Sequence, residues 1–119
     1  MKQYFKSTIT LTILLLFLSC KSDYEEIEVN YQDEHGNQIN VVYHNPLDEN
    51  NNYFVTLKVP GEKTISLNQS IAASGVRYTD DKTLVWWTKG DGAIMMKPDK
   101  NEDWKIIGTF KEISMRQIR

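Results

Sequence analysis

The sequence predicts an all-β domain, a small antiparallel up-and-down β-barrel of about eight short strands. Apolar and polar residues alternate with a period of two along the chain, and almost nowhere with the 3.6-residue period of a helix. The alternating runs are short and are separated by turn residues, Gly, Pro, Asn and Asp, so each strand is expected to pair with the next in a hairpin. Closing such a series into a barrel removes the sheet edges on which a β protein would otherwise aggregate.

The strands can be taken in order. Ile27, Val29 and Tyr31 alternate with Glu26, Glu28 and Asn30, then give way to a turn around Gly36. Ile39, Val41 and Tyr43 form the second strand and stop at Asn45-Pro46. The clearest run sets Tyr53, Val55, Leu57 and Val59 against Phe54, Thr56 and Lys58, closed by Pro60-Gly61. Further strands are expected at residues 64–67, 76–79, 83–88, 93–97 and 104–110, with turns at Asp80-Asp81, Gly90-Asp91-Gly92 and 98–103. Trp87, Trp104, Tyr53, Phe110 and the Ile and Val faces are the expected core, because a domain this small must bury nearly all of its large apolar residues to offset chain entropy.

The chain has 119 residues, 40% hydrophobic and 25% charged, which fits one globular domain and excludes a disordered chain. Residues 1–19 read as a secretory leader. Lys2 and Lys6 precede the apolar run from Ile9 to Leu18, which is about half the ~20 residues that a membrane-spanning helix needs. Phe17-Leu18-Ser19-Cys20 resembles the lipobox of a bacterial lipoprotein, with Phe17 where Leu is usual, so Cys20 is the expected lipidation site. Residues 20–25 then read as a short tether and 26–119 as the barrel. Lys21-Ser22, without an Asp after the first mature residue, resembles lipoproteins destined for the outer membrane. The protein is therefore expected on the bacterial cell envelope, held to the membrane through its N-terminal lipid.

Removal of the leader takes Lys2 and Lys6 with it, and the formal charge moves from −2 to −4. An acidic domain is a poor match for nucleic acid. A single Cys excludes an intramolecular disulfide and a thiolate metal cluster. Met95 and Met96 are consecutive in a strand and face opposite sides, and His35 and His44, which read as exposed, have no Cys or acid at ligand spacing, so no metal site is expected. No phosphate loop, nucleophile elbow or zinc motif is present. The residues point to a binding protein that needs no cofactor or small-molecule substrate, not to an enzyme.

One segment breaks the bland pattern. Ile71-Ala72-Ala73-Ser74-Gly75 is a small-residue loop that lets another backbone approach closely, and Gly75 can take a positive φ. Taken alone, Ser74-Gly75 is an ordinary turn and Lys89 a solvated hairpin lysine. Together, however, Ala72-Ala73-Ser74-Gly75-Val76-Arg77-Tyr78 and Trp87-Thr88-Lys89-Gly90-Asp91-Gly92-Ala93 resemble the two signature motifs of the MliC/PliC family, lipid-anchored and periplasmic inhibitors of C-type lysozyme.

The resemblance implies a small antiparallel barrel whose partner is C-type lysozyme. It implies that Ser74 and Lys89 enter the enzyme's cleft and meet its catalytic carboxylates, protecting peptidoglycan. Ala73 and Gly75 would shape the loop, and Tyr78 completes the first motif. Ala72 stands where the motif has Ser, and Gly92 where Glu is common. The family's usual disulfide has no counterpart after Cys20, and Asp33 stands near its first Cys; residues 104–110 are expected to supply extra core instead. The residues themselves leave a second reading open, a surface lipoprotein barrel that binds another protein or a glycan.

Overall fold

A computed structural model describes residues 23–119. The expected leader and residues 20–22 of the expected tether, Cys20 among them, lie outside the described residues. Eight strands succeed one another as β1 (Tyr24–Asp33), β2 (Gln38–Pro46), β3 (Phe54–Lys58), β4 (Ile65–Ser70), β5 (Val76–Thr79), β6 (Val85–Lys89), β7 (Gly92–Pro98) and β8 (Trp104–Gln117). Each pairs antiparallel with the next, and β8 pairs back on β1, so the all-β barrel is closed. β1 starts at Tyr24, within the stretch expected as tether, because Tyr24 and Glu25 continue the ladder opposite Pro46 and Asn45.

β8 is twice the length that its alternation suggested, and closure is the reason. Its first half pairs with β7 and its second half with β1, from Asp33↔Phe110 to Ile27↔Gln117. Two bulges interrupt it. Ile107 has no partner between Met96↔Ile106 and Met95↔Gly108, and Ile113 has none between Tyr31↔Glu112 and Asn30↔Ser114. A bulge swings its extra residue out of the ladder, and Ile107 and Ile113 are both exposed. Residues 104–110 therefore add only Phe110 to the core, rather than the larger contribution expected of them.

Alternation fills the barrel. Val29, Val41, Val55, Leu57, Leu67 and Met95 point inward around Trp86, which has no solvent exposure. The Trp86 indole N–H donates to the Tyr43 hydroxyl at 3.0 Å, and the Tyr43 and Tyr31 hydroxyls share a 2.6 Å hydrogen bond. Tyr31 meets the Trp86 ring edge-on at 5.1 Å, and Phe110 packs on it at 5.5 Å with its plane tilted by 49°. Burial pushes the Tyr43 phenol far above its ordinary range and Tyr78 to about 12, so these hydroxyls stay neutral partners.

The core differs from the expected one at four residues. Trp86, not Trp87, is the buried tryptophan: β6 carries both in sequence, and only one can face inward. Trp87 is partly exposed on the outer face. Tyr53 precedes β3 and is 43% exposed, while Trp104, opposite Pro98 at the start of β8, is half-buried. His44 is half-buried rather than exposed. Its ring stacks on Phe54 at 4.1 Å, its Nε2 bonds Thr56 Oγ1 at 2.9 Å, and Glu26 lies 3.5 Å from Nδ1. Pairing of β1 with β2 brings this acid beside it, where sequence spacing gave none.

The two ends of the barrel are built differently. At one, Asp33, Asp80 and Asp99 each accept backbone N–H groups of the adjoining turn. Asp33, near the position of the absent family Cys, is thus a turn residue, and the hydrogen bond from the Asn37 side chain leads in holding its carboxyl below the usual range. Burial works to raise Asp80, but hydrogen bonds from Thr83, Lys82 and Leu84 outweigh it and hold the carboxyl well below that range. The other end carries the β2–β3, β4–β5 and β6–β7 connections, together with the start of β1 and the end of β8.

Trp86→Ala is expected to cost about 3–5 kcal/mol, a large share of the roughly 5–15 kcal/mol that stabilises a domain of this kind. Trp87→Ala should cost much less. Denaturant unfolding of both variants measures the contrast, and equal losses would contradict the inward and outward assignment of the two indoles.

Candidate functional site

The β4–β5 loop and the β6–β7 turn meet at the second end of the barrel. Three residues of β6 organise the meeting. With Trp86 inward, the two-residue period sends Trp87 and Lys89 outward together. The Trp87 indole N–H donates to the Ser74 carbonyl at 2.8 Å, tying the loop to the strand. The Lys89 ammonium lies over the same indole, 5.0 Å from its centre, a cation–π contact that draws the lysine toward Ser74. Val76↔Thr88 pairing and a 3.3 Å bond from the Thr88 hydroxyl to the Val76 carbonyl fix the base of the loop.

Gly75 is what lets the parts approach. Its φ is +67°, and an added Cβ would stand 2.2 Å from the Thr88 carbonyl oxygen, 2.7 Å from Lys89 Cγ and 3.1 Å from Trp87 Nε1. The backbone therefore passes so close to β6 that no side chain fits. Ala73 and Ser74 are exposed, as are Lys89 and Gly90, and Ile71 at the loop's start is 98% exposed. The rim thus gathers exposed Ser74, held through its carbonyl, and exposed Lys89, held through its ammonium, around the single Trp87 indole.

Of the residues expected from the sequence, Ala73, Ser74, Gly75 and Lys89 share this rim. Tyr78 does not: it is 4% exposed, paired with Trp86 across β5 and β6 and packed on Tyr43 at 5.8 Å. Its contribution comes from beneath, by fixing β5 under the loop. Trp87, expected in the core, is the site residue that sequence reasoning misses. The signal is present, since residues 87 and 89 share a strand face and an exposed Lys89 requires an outward Trp87. Arg77, opposite Trp87 in the ladder and 3.4 Å from the Ser70 hydroxyl through Nη1, flanks the indole on β5. No cluster of His, Cys, Asp and Glu able to hold a metal exists among the described residues.

Residues 31–104 match the family described as membrane-bound lysozyme-inhibitor of c-type lysozyme, MliC. The chain belongs to the MliC family. Both rim segments lie inside the matched stretch, and the family is one of inhibitor proteins rather than enzymes. Among solved structures, the chain is similar to Pseudomonas aeruginosa MliC, whose crystal structure was determined in complex with hen egg white lysozyme. The identity is 26%, the match covers 77% of this chain and 87% of that one, and the TM-score is 0.58. No curated protein matches the chain in sequence. The MliC family's description as membrane-bound agrees with the cell-envelope location expected of this chain.

Gly75→Ala is expected to lower stability by about 1–3 kcal/mol, since both the positive φ and the contact with Thr88 become unfavourable. The loop should move off β6 and release the Trp87 indole. Hydrogen exchange of that indole N–H, followed by NMR, checks this; a variant with parental stability and a protected indole would show that the close approach is dispensable.

Proposed function

We propose that this protein inhibits C-type lysozyme by placing the Ser74-Gly75 loop and Lys89 in the enzyme's active-site cleft. The observation that carries the reading is the Trp87 indole, which holds the Ser74 carbonyl through its N–H and the Lys89 ammonium over its ring. One side chain thereby sets the spacing of the two groups.

The chemistry suits a glycosidase. A retaining enzyme of this kind flanks the scissile bond with two carboxyl groups about 5–5.5 Å apart. Lys89 pairs with a carboxylate, and the Ser74 hydroxyl donates a hydrogen bond to its neighbour. Ala73 and Gly75 add no bulk, so the loop's backbone enters behind the side chains and occupies the volume of a sugar ring. Peptidoglycan is excluded without any reaction. A desolvated charge pair at an interface contributes about 1.5–7 kcal/mol in measured cases, which makes Lys89 the larger energetic term. Because the rim is preorganised in the free protein, little conformational entropy is lost on binding.

The same proposal sets the protein's place. Cys20 carries the lipid after removal of residues 1–19, and the protein sits on the outer membrane, where lysozyme entering the envelope meets it. The family description as membrane-bound supports attachment to a membrane, and Lys21-Ser22 after the lipidated Cys supports the outer one.

In a cell-wall lysis assay the full-length protein in detergent should inhibit C-type lysozyme, and the Ser74→Ala/Lys89→Ala variant should lose at least tenfold in potency with an unchanged melting temperature. A folded parent that leaves lysis untouched would direct the reading to another protein or glycan ligand. Separately, Cys20→Ser should move the protein from the membrane fraction to the soluble fraction of lysed cells; retention in the membrane would refute anchoring through this residue.

A further inference from the structure

The outward row of side chains that contains Lys89 does not end on β6. The ladder continues Lys89↔Gly92 from β6 to β7 and Gly92↔Lys111 from β7 to β8. Paired residues of neighbouring strands point to the same side, so Lys89 and Lys111 stand on one outer face with only a glycine between them. Two strand spacings separate their backbones, about 9–10 Å. The β6–β7 turn is tied to β8 by a 2.8 Å bond from the Glu112 N–H to the Asp91 carbonyl, which fixes Lys111 relative to the rim.

Three features make this neighbour more than a passing surface lysine. Among the described residues neither Lys89 nor Lys111 has an ion-pair partner, so two cations without a neutralising carboxylate stand on one short row. Gly92 leaves the backbone between them bare; an added Cβ would lie 3.5 Å from the Phe110 carbonyl, an ordinary contact, so the gap is not forced by crowding. Beyond Lys111 the outer wall is hollowed into an open groove of about 570 Å³ lined by Gln32, Asp33, Glu34, Thr109, Lys111 and Ile113. Ile113, turned into it by the second β8 bulge, is its one apolar side chain, and the Asp33 and Glu34 carboxylates share the groove with Lys111 without ion-pairing to it.

We infer that the lysozyme-contacting surface extends from Lys89 across bare Gly92 to Lys111, whose ammonium pairs with an acidic side chain on the lip of the enzyme's cleft. This rests on the proposed inhibition of lysozyme and adds a contact that lies outside residues 31–104, the stretch the family match covers. The separation of the two backbones places the Lys111 partner beyond the catalytic carboxyl pair. A protruding lip passes over Gly92 without meeting a side chain, and its apolar flank settles against Ile113. Lys89 would then block the reaction, while Lys111 would orient the inhibitor and help decide which lysozymes it accepts.

The test compares the full-length protein with Lys111→Glu, Lys111→Arg and Lys105→Glu, by equilibrium binding to immobilised C-type lysozyme and by inhibition of lysis. Lys105 lies on the same strand opposite Lys97, near the other end of the barrel, and its reversal makes the same change in net charge. Lys111→Glu is expected to weaken both binding and inhibition at least tenfold, Lys111→Arg to stay within about threefold of the parent, and Lys105→Glu to change neither, all with melting temperatures near the parent's. Parental binding by Lys111→Glu would overturn the inference, as would equal losses in the two Glu variants, which would mark a long-range charge effect. A folded parent that neither binds nor inhibits would overturn the lysozyme reading itself and this extension with it.

Discussion

The packing of Trp86 inside the barrel is the constraint on which the rest depends. A closed sheet of eight strands encloses little space, and one indole with Tyr31, Tyr43 and Phe110 around it fills the middle. The hydrogen bond from Trp86 to Tyr43, continued to Tyr31, satisfies the polar atoms that these rings carry into an apolar interior. It also fixes the parity of β6. Once Trp86 is inside, Trp87 and Lys89 are outside, and a slip of one residue would bury a lysine.

The rim is a consequence of that parity. Trp87 offers its ring to Lys89 and its N–H to the Ser74 carbonyl, so the two motifs, far apart in the chain, are joined by a single side chain. Gly75 contributes by what it lacks, since any Cβ would collide with the β6 backbone. The rigidity of the site therefore comes from backbone proximity and one aromatic ring, in a chain with no disulfide among its described residues. The far end of the barrel reaches order by other means, with Asp carboxylates closing three of its turns.

Much of the fold is legible because a strand's side chains alternate and turns have their own residue types. Val55 and Leu57, or Val29 and Tyr31, announce an inward face wherever their neighbours are polar. Alternation is silent where both faces are apolar. Leu84-Val85-Trp86-Trp87 satisfies either parity, which is why the pattern points to Trp87 as core while the barrel buries Trp86. Likewise the bulges at Ile107 and Ile113 reverse the facing of the β8 residues beyond them, and a pattern with a period of two cannot show a skipped residue.

The strand order, the all-β class and the two short motifs can be read along the chain, because they depend on local periodicity and on residues that are neighbours in sequence. So can Ser74, Gly75 and Lys89, which stand within those motifs. That Trp87 joins them, that His44 meets Glu26, and that Lys111 shares an outer row with Lys89 emerges only in the folded barrel. Each of those contacts is set by register between strands. Register arises from the packing of the whole closed sheet, to which every strand contributes at once, and no segment carries it alone.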